Sequence, residues 1–362
     1  MEEKYVAFQV LAINPGSTST KIALFEGKTV LLKQEISHSR EEIAAFETIM
    51  AQFSFRYNLI KEALASTDTT HLAAVVGRGG LLRPMAGGTY EVNDAMQRDL
   101  EVGISGQHAS NLGGLLARKI ADDYAIPAYI VDPVVVDELA PIARYSGNAH
   151  IERQSIFHAL NQKAVARNVA AKLGRAYEEL HLIVAHLGGG ISVGAHDRGR
   201  VIDVNNALDG DGPMSPERSG SLPMASFLAW AFSEGVTKEQ LHTELVGRGG
   251  LVSYKGTNDL RDIERQIKDG DTEAKALFEA MAYQVAKEIG ANAAVLKGQI
   301  DAIVLTGGLA RSDAFIQEIT QYIHWIAPIM TEPGEDEMAA LNDGAQRILQ
   351  KQEIAQIYNG EE

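Results

Sequence analysis

The chain has 362 residues, of which 45% are hydrophobic and 22% charged, enough apolar material for two domain cores and too much for a mainly disordered chain. With 48 acidic and 33 basic residues, its formal net charge of −15 argues against nucleic-acid or anionic-membrane binding. The absence of cysteine excludes disulfides, thiolate nucleophiles and cysteine-bound metals, so any metal is expected to be a hard, oxygen-bound cation, foremost Mg²⁺. The acidic N-terminus is unlike a signal peptide and no apolar run could span a bilayer, so we expect a soluble, cytoplasmic protein.

The first part of the chain is typical of an α/β domain. Three strands separated by turns are predicted at residues 6–13, 20–25 and 28–36. Helical spacing follows over residues 41–65, and short buried strands are predicted at 72–76 and 128–131.

The opening pattern returns after a predicted helix over residues 155–173. Strands at 180–186, 191–196 and 200–205 repeat the order strand, glycine turn, strand, reversal, strand, with Gly16 matching Gly188 and Ser19 matching Ile191. We interpret this as an internal duplication, which favours two α/β domains. The remaining predicted elements are helices at 272–297, 312–322 and 336–350 and a strand at 301–305. The expected domains are 1–150, with 331–362 packing back on it, and 151–330.

Three glycine-rich loops at the ends of strands are candidates for a nucleotide site. Their backbone N–H groups could cradle phosphates, and glycines at the carboxyl end of a strand let a ribose or a base lie against the backbone. The alternatives are an ordinary hairpin turn, a bulge and a plain connection to a helix. The candidate binding residues are Asn14, Gly16, Ser17, Thr18, Ser19, Lys21, His186, Gly188, Gly189, Gly190, Gly307, Gly308 and Arg311.

Several charged residues are candidates for the chemistry. Arg78 and Arg218 stand in glycine-rich loops of an acidic chain, where a guanidinium could clamp an anion or be an ordinary surface charge. Asp132 closes an apolar strand and is well placed for function. His158 on the predicted helix could be a satisfied core residue. Three consecutive acidic residues could hold Mg²⁺ or favour a helix N-terminus: Glu335, Asp336 and Glu337.

Several long strings of this sequence resemble the butyrate kinase branch of the acetokinase family. They occupy residues 14–21, 78–82, 108–111, 131–139, 155–163, 184–194 and 205–220. The resemblance implies two duplicated ribonuclease-H-like domains, an actin-like ATPase fold, with a nucleotide cleft between them. It also implies reversible, direct in-line phosphoryl transfer between ATP–Mg²⁺ and a short-chain carboxylate, giving ADP and an acyl phosphate.

The resemblance assigns roles to five residues. Arg78 would contact the substrate carboxylate, Arg218 the carboxylate and the transferring phosphoryl group, and His158 the phosphoryl oxygens in the transition state. Asn14 would belong to the first phosphate loop, and Asp132 would be the aspartate of the catalytic cleft. The magnesium position falls at either Asp336 or Glu337.

The sequence departs from acetate kinase next to the arginines. Gly79-Gly80-Leu81-Leu82 replaces a valine-valine-histidine run, and residues 209–216 differ in the loop before Arg218. We therefore expect butyrate or isobutyrate as substrate. The family resemblance also implies a homo-oligomer, and the negative net charge argues against nucleic-acid or membrane partners. The alternatives are an acetate or propionate kinase, a sugar kinase of the same superfamily, and an actin- or Hsp70-like nucleotide switch.

Overall fold

A computed structural model describes residues 7–360 of the chain. Within them the chain forms two compact units, residues 7–136 with 336–360, and residues 137–335. The sequence analysis placed these divisions after residues 150 and 330. No helix of the described residues is long and apolar enough to cross a membrane.

The first unit is built on a six-stranded sheet in the order β3-β2-β1-β4-β6-β5. The first three strands form an antiparallel meander, β4 runs parallel to β1, β6 parallel to β4, and β5 antiparallel to β6. Buried aliphatic side chains of β1, β2 and β4 make its core. The strands are β1 Gln9–Pro15, β2 Ser19–Glu26, β3 Thr29–Ser37, β4 Leu72–Arg78, β5 Thr89–Glu91 and β6 Ala128–Val131.

Four helices of this unit precede residue 137, namely α1 Arg40–Ala44, α2 Phe53–Leu64, α3 Asp94–Val102 and α4 Asn111–Tyr124. Helix α4 lies very close to β4, because a Cβ on Gly77 or on Gly113 would approach the backbone of the other element well inside the 3.0 Å that real Cβ atoms keep. Both positions therefore require glycine, and this contact fixes the strand that ends at Arg78.

The predicted helix over residues 41–65 is wrong in its middle. Helix α1 ends at Ala44, a 3₁₀ turn occupies Met50–Gln52, and α2 begins at Phe53. The Thr48 hydroxyl accepts a hydrogen bond from the Ala51 amide at 3.2 Å. Such a local side-chain bond competes with the helical backbone pattern, which periodicity alone does not reveal. Residue 6 of the predicted first strand lies outside the described residues.

The second unit is built on a five-stranded sheet in the order β9-β8-β7-β10-β11. Its strands are β7 His181–Leu187, β8 Ile191–Asp197, β9 Arg200–Val204, β10 Ala302–Gly307 and β11 Ile329–Pro333. Its helices are α5 Ala159–Lys172, α6 Met224–Ala231, α7 Lys238–Val246, α8 Gly250–Lys255, α9 Leu260–Lys268, α10 Thr272–Val295 and α11 Asp313–Ile323.

The two sheets share one topology, an antiparallel meander followed by two strands parallel to its first strand. This repeat agrees with the duplication inferred from the sequence. The second hairpin is shorter, because residues 16–19 separate the paired Pro15 and Thr20, whereas 188–190 separate Leu187 and Ile191. Ile191 therefore corresponds to Thr20, and the match with Ser19 was wrong by one position.

The last helix, α12 Glu337–Leu349, returns to the first unit and packs on β1, β4 and β6. Its buried polar face is anchored to the meander: Asn342 Nδ2 donates to the Gly27 carbonyl at 2.8 Å, and Gln346 Nε2 to that of Phe8 at 2.8 Å. The N-terminus of α12 is thereby held at the edge of the sheet where β1 and β4 end.

Candidate active site

In the first unit, Asn14, Arg78 and Glu337 form one cluster. Asn14 and Arg78 follow the paired residues Ile13 and Gly77 at the carboxyl ends of parallel strands β1 and β4. Asn14 Nδ2 donates to Glu337 Oε2 at 2.5 Å, and Arg78 Nη1 forms an ion pair with Glu337 Oε1. The Arg78 and Glu337 side chains are 21% and 25% exposed, so a half-buried guanidinium and carboxylate face solvent together.

Asp132 follows β6 at the same edge of this sheet and is buried. Its φ of 37° lies in the left-handed region, which a non-glycine residue occupies only under constraint. Two hydrogen bonds supply that constraint, from the Gly88 amide to Asp132 Oδ1 at 2.7 Å and from the Asp132 amide to the Gly88 carbonyl at 3.0 Å. The backbone thus fixes the direction of this carboxylate.

The first glycine-rich loop is a tight hairpin whose tip, Ser17 and Thr18, is exposed. The Gly16 amide donates to the Ser19 carbonyl at 2.8 Å, the Ser19 hydroxyl donates to Glu35 Oε1 at 2.9 Å, and Lys21 is exposed on β2. Gly16 does not have a left-handed φ, and a Cβ there would make only an ordinary 3.6 Å contact, so this turn does not itself require glycine.

The three consecutive acidic residues have different partners. Asp336 caps α12 by accepting a hydrogen bond from the Ala339 amide at 3.2 Å, and its carboxylate lies 3.7 Å from Lys33 Nζ. Glu335, in the second unit, lies 3.5 Å from His186 Nε2. Of these three residues, Glu337 contacts two predicted site residues, Asn14 and Arg78, and Glu335 contacts one, His186. Between residues 7 and 360 no group of three acidic or histidine side chains is placed to hold a metal.

His108 is a neighbour of this cluster that the candidate list lacked. Burial lowers the pKa of His108, and the positive charge of Arg78 lowers it further. Its Nδ1 accepts from the Ser110 amide at 3.2 Å, so the neutral ring carries its hydrogen on Nε2. The sequence signal was the string at 108–111, which contributed to the family resemblance without a role for the histidine.

In the second unit, the rings of His158 and His186 are stacked with centroids 3.8 Å apart and planes 13° from parallel. His186 is the next-to-last residue of β7, and its Nδ1 is 2.7 Å from Asn161 Oδ1. His158 Nδ1 is 2.9 Å from the Ser192 hydroxyl. The prediction that His158 lies within a helix is wrong: α5 begins at Ala159, and His158 is the residue before it, with φ −77° and ψ 59°, outside the helical region.

Arg218 is packed against the second glycine-rich loop. A Cβ on Gly190 would collide with its guanidinium, so the missing side chain at this glycine lets Arg218 pack against the loop, and Gly190 as a nucleotide-binding residue stays a prediction. Burial lowers the pKa of Arg218, opposed by Glu217 and Asp209, although a guanidinium remains charged. Its buried Nε has no hydrogen-bond partner among the described residues. A partly desolvated cation of this kind favours a bound anion.

The two glycines of the third glycine-rich loop, Gly307 and Gly308, have different surroundings. Gly307 has φ 90°, and a Cβ there would collide with the backbone of Leu187, so it serves the pairing of β10 with β7. Gly308 is exposed, with nothing within 4 Å of a Cβ. The Arg311 guanidinium lies against Gly334. Of the glycine pair, only Gly308 offers backbone to a ligand.

The structure thus brings together Asn14, Arg78 and Glu337 in one unit, and in the other His158 with His186, and Gly190 with Arg218. It directs Asp336 to the helix cap and Ser19 to Glu35. Since Mg²⁺ in phosphoryl-transfer sites is commonly held by one or two carboxylates and substrate phosphates, the Glu337 carboxylate fits such an ion.

Comparison with solved structures identifies the fold. The acetate kinase of Porphyromonas gingivalis superposes with a TM-score of 0.76 at 20% identity, covering 94% of this chain and 99% of that one. A propionate kinase of Francisella tularensis gives 0.68 at 19% identity over 93% and 98% of the two chains. The expected actin-like ATPase fold is therefore confirmed, with α/β units built on two mixed sheets.

Comparison of sequences identifies the family. Residues 138–352 match the Acetokinase family. A probable butyrate kinase of Listeria welshimeri is 56% identical over 355 residues, 98% of this chain and 100% of that protein. One of Listeria monocytogenes serotype 4a is 56% identical over 346 residues, 95% and 98% of the two chains. The chain belongs to the acetokinase family, and the resemblance seen in its sequence strings is confirmed.

Proposed function

We propose that this protein is a short-chain carboxylate kinase that converts ATP and butanoate, or the branched 2-methylpropanoate, reversibly into ADP and the acyl phosphate. The observation that carries this proposal is 56% identity, over almost the whole chain, to a probable butyrate kinase. The ion pair of Arg78 with Glu337 supports it, because this partly exposed guanidinium already binds one carboxylate.

The residues present suit an anionic nucleophile. A carboxylate needs no general base, so the protein has to align it with the phosphorus atom and neutralise charge. In the proposed mechanism Arg78 binds the substrate carboxylate, one oxygen of which attacks the γ-phosphorus while the bond to the β-phosphate oxygen breaks and ADP leaves. Arg218 and the Nε2 hydrogen of His158 stabilise the equatorial oxygens of the transferring group. Asp132 is held by Gly88 as a fixed carboxylate of the site.

The loops would bind the nucleotide. The exposed Ser17 and Thr18 tip and the exposed Gly189 backbone would face the phosphates, while Gly308 and Arg311 would lie against the ribose and base. Glu337 would hold Mg²⁺, which supplies neutralisation of the phosphate charge when it is bound.

The segment after Arg78 supports a pocket unlike that of acetate kinase. A Cβ on Gly79 would lie 2.6 Å from Pro133 Cβ, and one on Gly80 would lie 2.5 Å from Asn111. Larger side chains therefore cannot occupy these positions without moving the backbone. This rebuilt segment supports the proposal that acids of four or five carbons are preferred over acetate.

Acyl-phosphate formation, trapped as the hydroxamate with hydroxylamine, tests this function. Purified protein with ATP–Mg²⁺ receives acetate, propionate, butyrate, isobutyrate and isovalerate in parallel. We expect product with the four- and five-carbon acids and little with acetate. Product mainly from acetate or propionate would instead identify an acetate or propionate kinase. Tight ATP binding without product from any acid would overturn the proposal in favour of a nucleotide switch.

We also propose that the protein is a homo-oligomer formed through α6. This helix has no buried residue, its apolar side chains Met224 and Leu228 are 75% and 56% exposed, and Phe232, directly after it, is 84% exposed. An apolar surface of this kind is typical of an interface, and a second copy supplies a matching one. We expect light scattering after gel filtration to show a dimer or larger assembly that Phe232→Glu dissociates. Ile354→Glu, at another exposed apolar residue, is the control; a monomeric wild-type protein would contradict the proposal.

A further inference from the structure

A continuous line of side chains in the second unit leads from the core to His158. The Tyr177 hydroxyl is 2.7 Å from His196 Nδ1, and His196 Nε2 is 2.9 Å from Gln162 Oε1. Gln162 Nε2 is 2.8 Å from the Ser192 hydroxyl, which is 2.9 Å from His158 Nδ1. We refer to these five residues as the histidine relay. Its members Tyr177, His196, Gln162 and Ser192 are buried.

The direction of every hydrogen bond in the relay follows from Gln162. Its Nε2 lies 3.0 Å from the backbone carbonyl oxygen of Ser192, which can only accept. The amide nitrogen must therefore face Ser192, and the amide oxygen must face His196. The second amide hydrogen is then donated to the Ser192 hydroxyl oxygen.

The far end of the relay agrees with this direction. Because the Gln162 oxygen only accepts, His196 must carry a hydrogen on Nε2. Complete burial lowers the pKa of His196 well below its ordinary value, and the charges of Lys163 and Arg167 lower it further. The ring is therefore neutral with a bare Nδ1, and that nitrogen accepts the hydrogen of the Tyr177 hydroxyl.

The near end reaches the proposed catalytic residue. The Ser192 oxygen already accepts from Gln162, so its own hydrogen is available for His158 Nδ1. We propose that the relay holds neutral His158 with Nδ1 bare and its hydrogen on Nε2, which makes Ser192, Gln162 and His196 positioning residues for phosphoryl transfer. The stacked ring of His186, itself bonded to Asn161, holds the plane of His158. The catalytic consequence rests on the proposed function, whereas the position of the hydrogen does not.

Nitrogen NMR of the free, full-length protein tests the position of the hydrogen directly. The protein is labelled with ¹⁵N only in histidine, and the His158 signals are assigned by their absence from a His158→Asn variant. At a pH where His158 is neutral, we expect Nδ1 to resonate as an unprotonated nitrogen and Nε2 as a protonated one. A hydrogen found on Nδ1 would overturn the proposal, even if the protein phosphorylates butyrate.

Two variants test the positioning role. Ser192→Ala removes the donor, so we expect both His158 nitrogens to share the hydrogen and kcat to fall about tenfold, with KM for ATP and acid within about twofold. Gln162→Glu cannot donate to Ser192, so the serine hydrogen should turn to the new carboxylate and the His158 hydrogen should move to Nδ1. Ser253→Ala, which removes the hydroxyl of an exposed serine on α8, is the control and should leave the His158 spectrum and kcat unchanged. An unchanged His158 spectrum and kcat in Ser192→Ala would overturn the positioning role; that spectrum remains readable if no acid is phosphorylated.

Discussion

Glu337 connects Asn14 and Arg78, the other two residues of the cluster in the first unit. It binds Asn14 through one carboxylate oxygen and Arg78 through the other. A substrate carboxylate that binds Arg78 must share this guanidinium with Glu337 or displace it. If Glu337 turns to a cation as a nucleotide binds, the same movement makes Arg78 available to the acid.

At the residue scale, we expect Arg78→Ala and Arg218→Ala each to lower turnover about 10²–10³-fold, because Arg78 aligns the attacking carboxylate and Arg218 donates to charge that develops in the transition state. Hydroxamate formation from butyrate measures the loss. Circular dichroism and the melting temperature serve as controls for folding. Normal turnover in either folded variant would remove that arginine from the mechanism.

The neighbouring acids Asp336 and Glu337 provide a matched pair. We expect Glu337→Gln to raise the Mg²⁺ concentration for half-maximal activity at least about tenfold, since it removes the charge while keeping an oxygen for Asn14. Asp336→Asn makes the same charge change one residue away and still caps the helix, so we expect a change within about twofold. Binding of Mn²⁺ with ADP, followed by electron paramagnetic resonance, gives the comparison without turnover. The reverse order of effects would assign the ion to Asp336.

Sequence could identify these residues but not their contacts. Arg78 and Arg218 stood out as arginines in glycine-rich loops, and both remain predictions as substrate ligands. The reason for Gly190 could not be predicted, because Arg218 reaches it from a loop far along the chain. Ser192 and His196 had a signal in their alternation along β8, which places both side chains on the same face of the strand, but their partner Gln162 comes from α5.

At the scale of elements, two glycines inside helices distinguish the effect of side-chain packing on stability from the effect of helix propensity. We expect Gly290→Ala in α10 to raise the free energy of unfolding by about 0.5–1 kcal/mol, because nothing lies within 4 Å of the new Cβ and glycine costs helix stability. Gly344→Ala in α12 should lower it, because its Cβ would collide with Val131. Melting temperatures compare the two variants, and equal shifts of the same sign would contradict this packing of α12.

Hydrophobic patterning predicted the strands better than the helices. The meanders were found because short apolar runs end at glycine turns, and the predicted strand at 128–131 coincides with β6. Helices α6 to α9 were missed, since α6 is apolar on an exposed surface and the others are short. The one-residue difference in length between the two hairpins could not be predicted either. The two repeats share too few identical residues to fix their alignment, and only the observed strand pairing does so.

At the scale of the whole molecule, buried histidines set the pH dependence of stability. Burial lowers the pKa of His38 and of His196. Below pH 6.5 the unfolded chain binds protons that the folded chain does not, so stability falls with pH by up to about 1.4 kcal/mol per unit for each histidine. Burial raises the pKa of Glu288, so this single carboxyl group has the opposite effect on stability as the pH falls.

We therefore expect the melting temperature to fall between pH 7.5 and 5.5, above the range in which most carboxylates titrate. Buffers of equal ionic strength keep charge screening constant. His38→Gln should reduce the slope, because it removes one of the two histidines whose pKa burial lowers and retains a polar side chain near Thr20. A melting temperature that stays level or rises as the pH falls would contradict this account.

The return of α12 to the first unit has a consequence for synthesis on the ribosome. Residues 137–335 form a continuous stretch that can fold as soon as it emerges. The sheet that emerged first must wait for a helix encoded some two hundred codons later, and the part of β1, β4 and β6 that α12 covers stays exposed until then. A nascent chain stalled before residue 337 should therefore expose that sheet to chaperones and proteases, while its later-made neighbour is already protected.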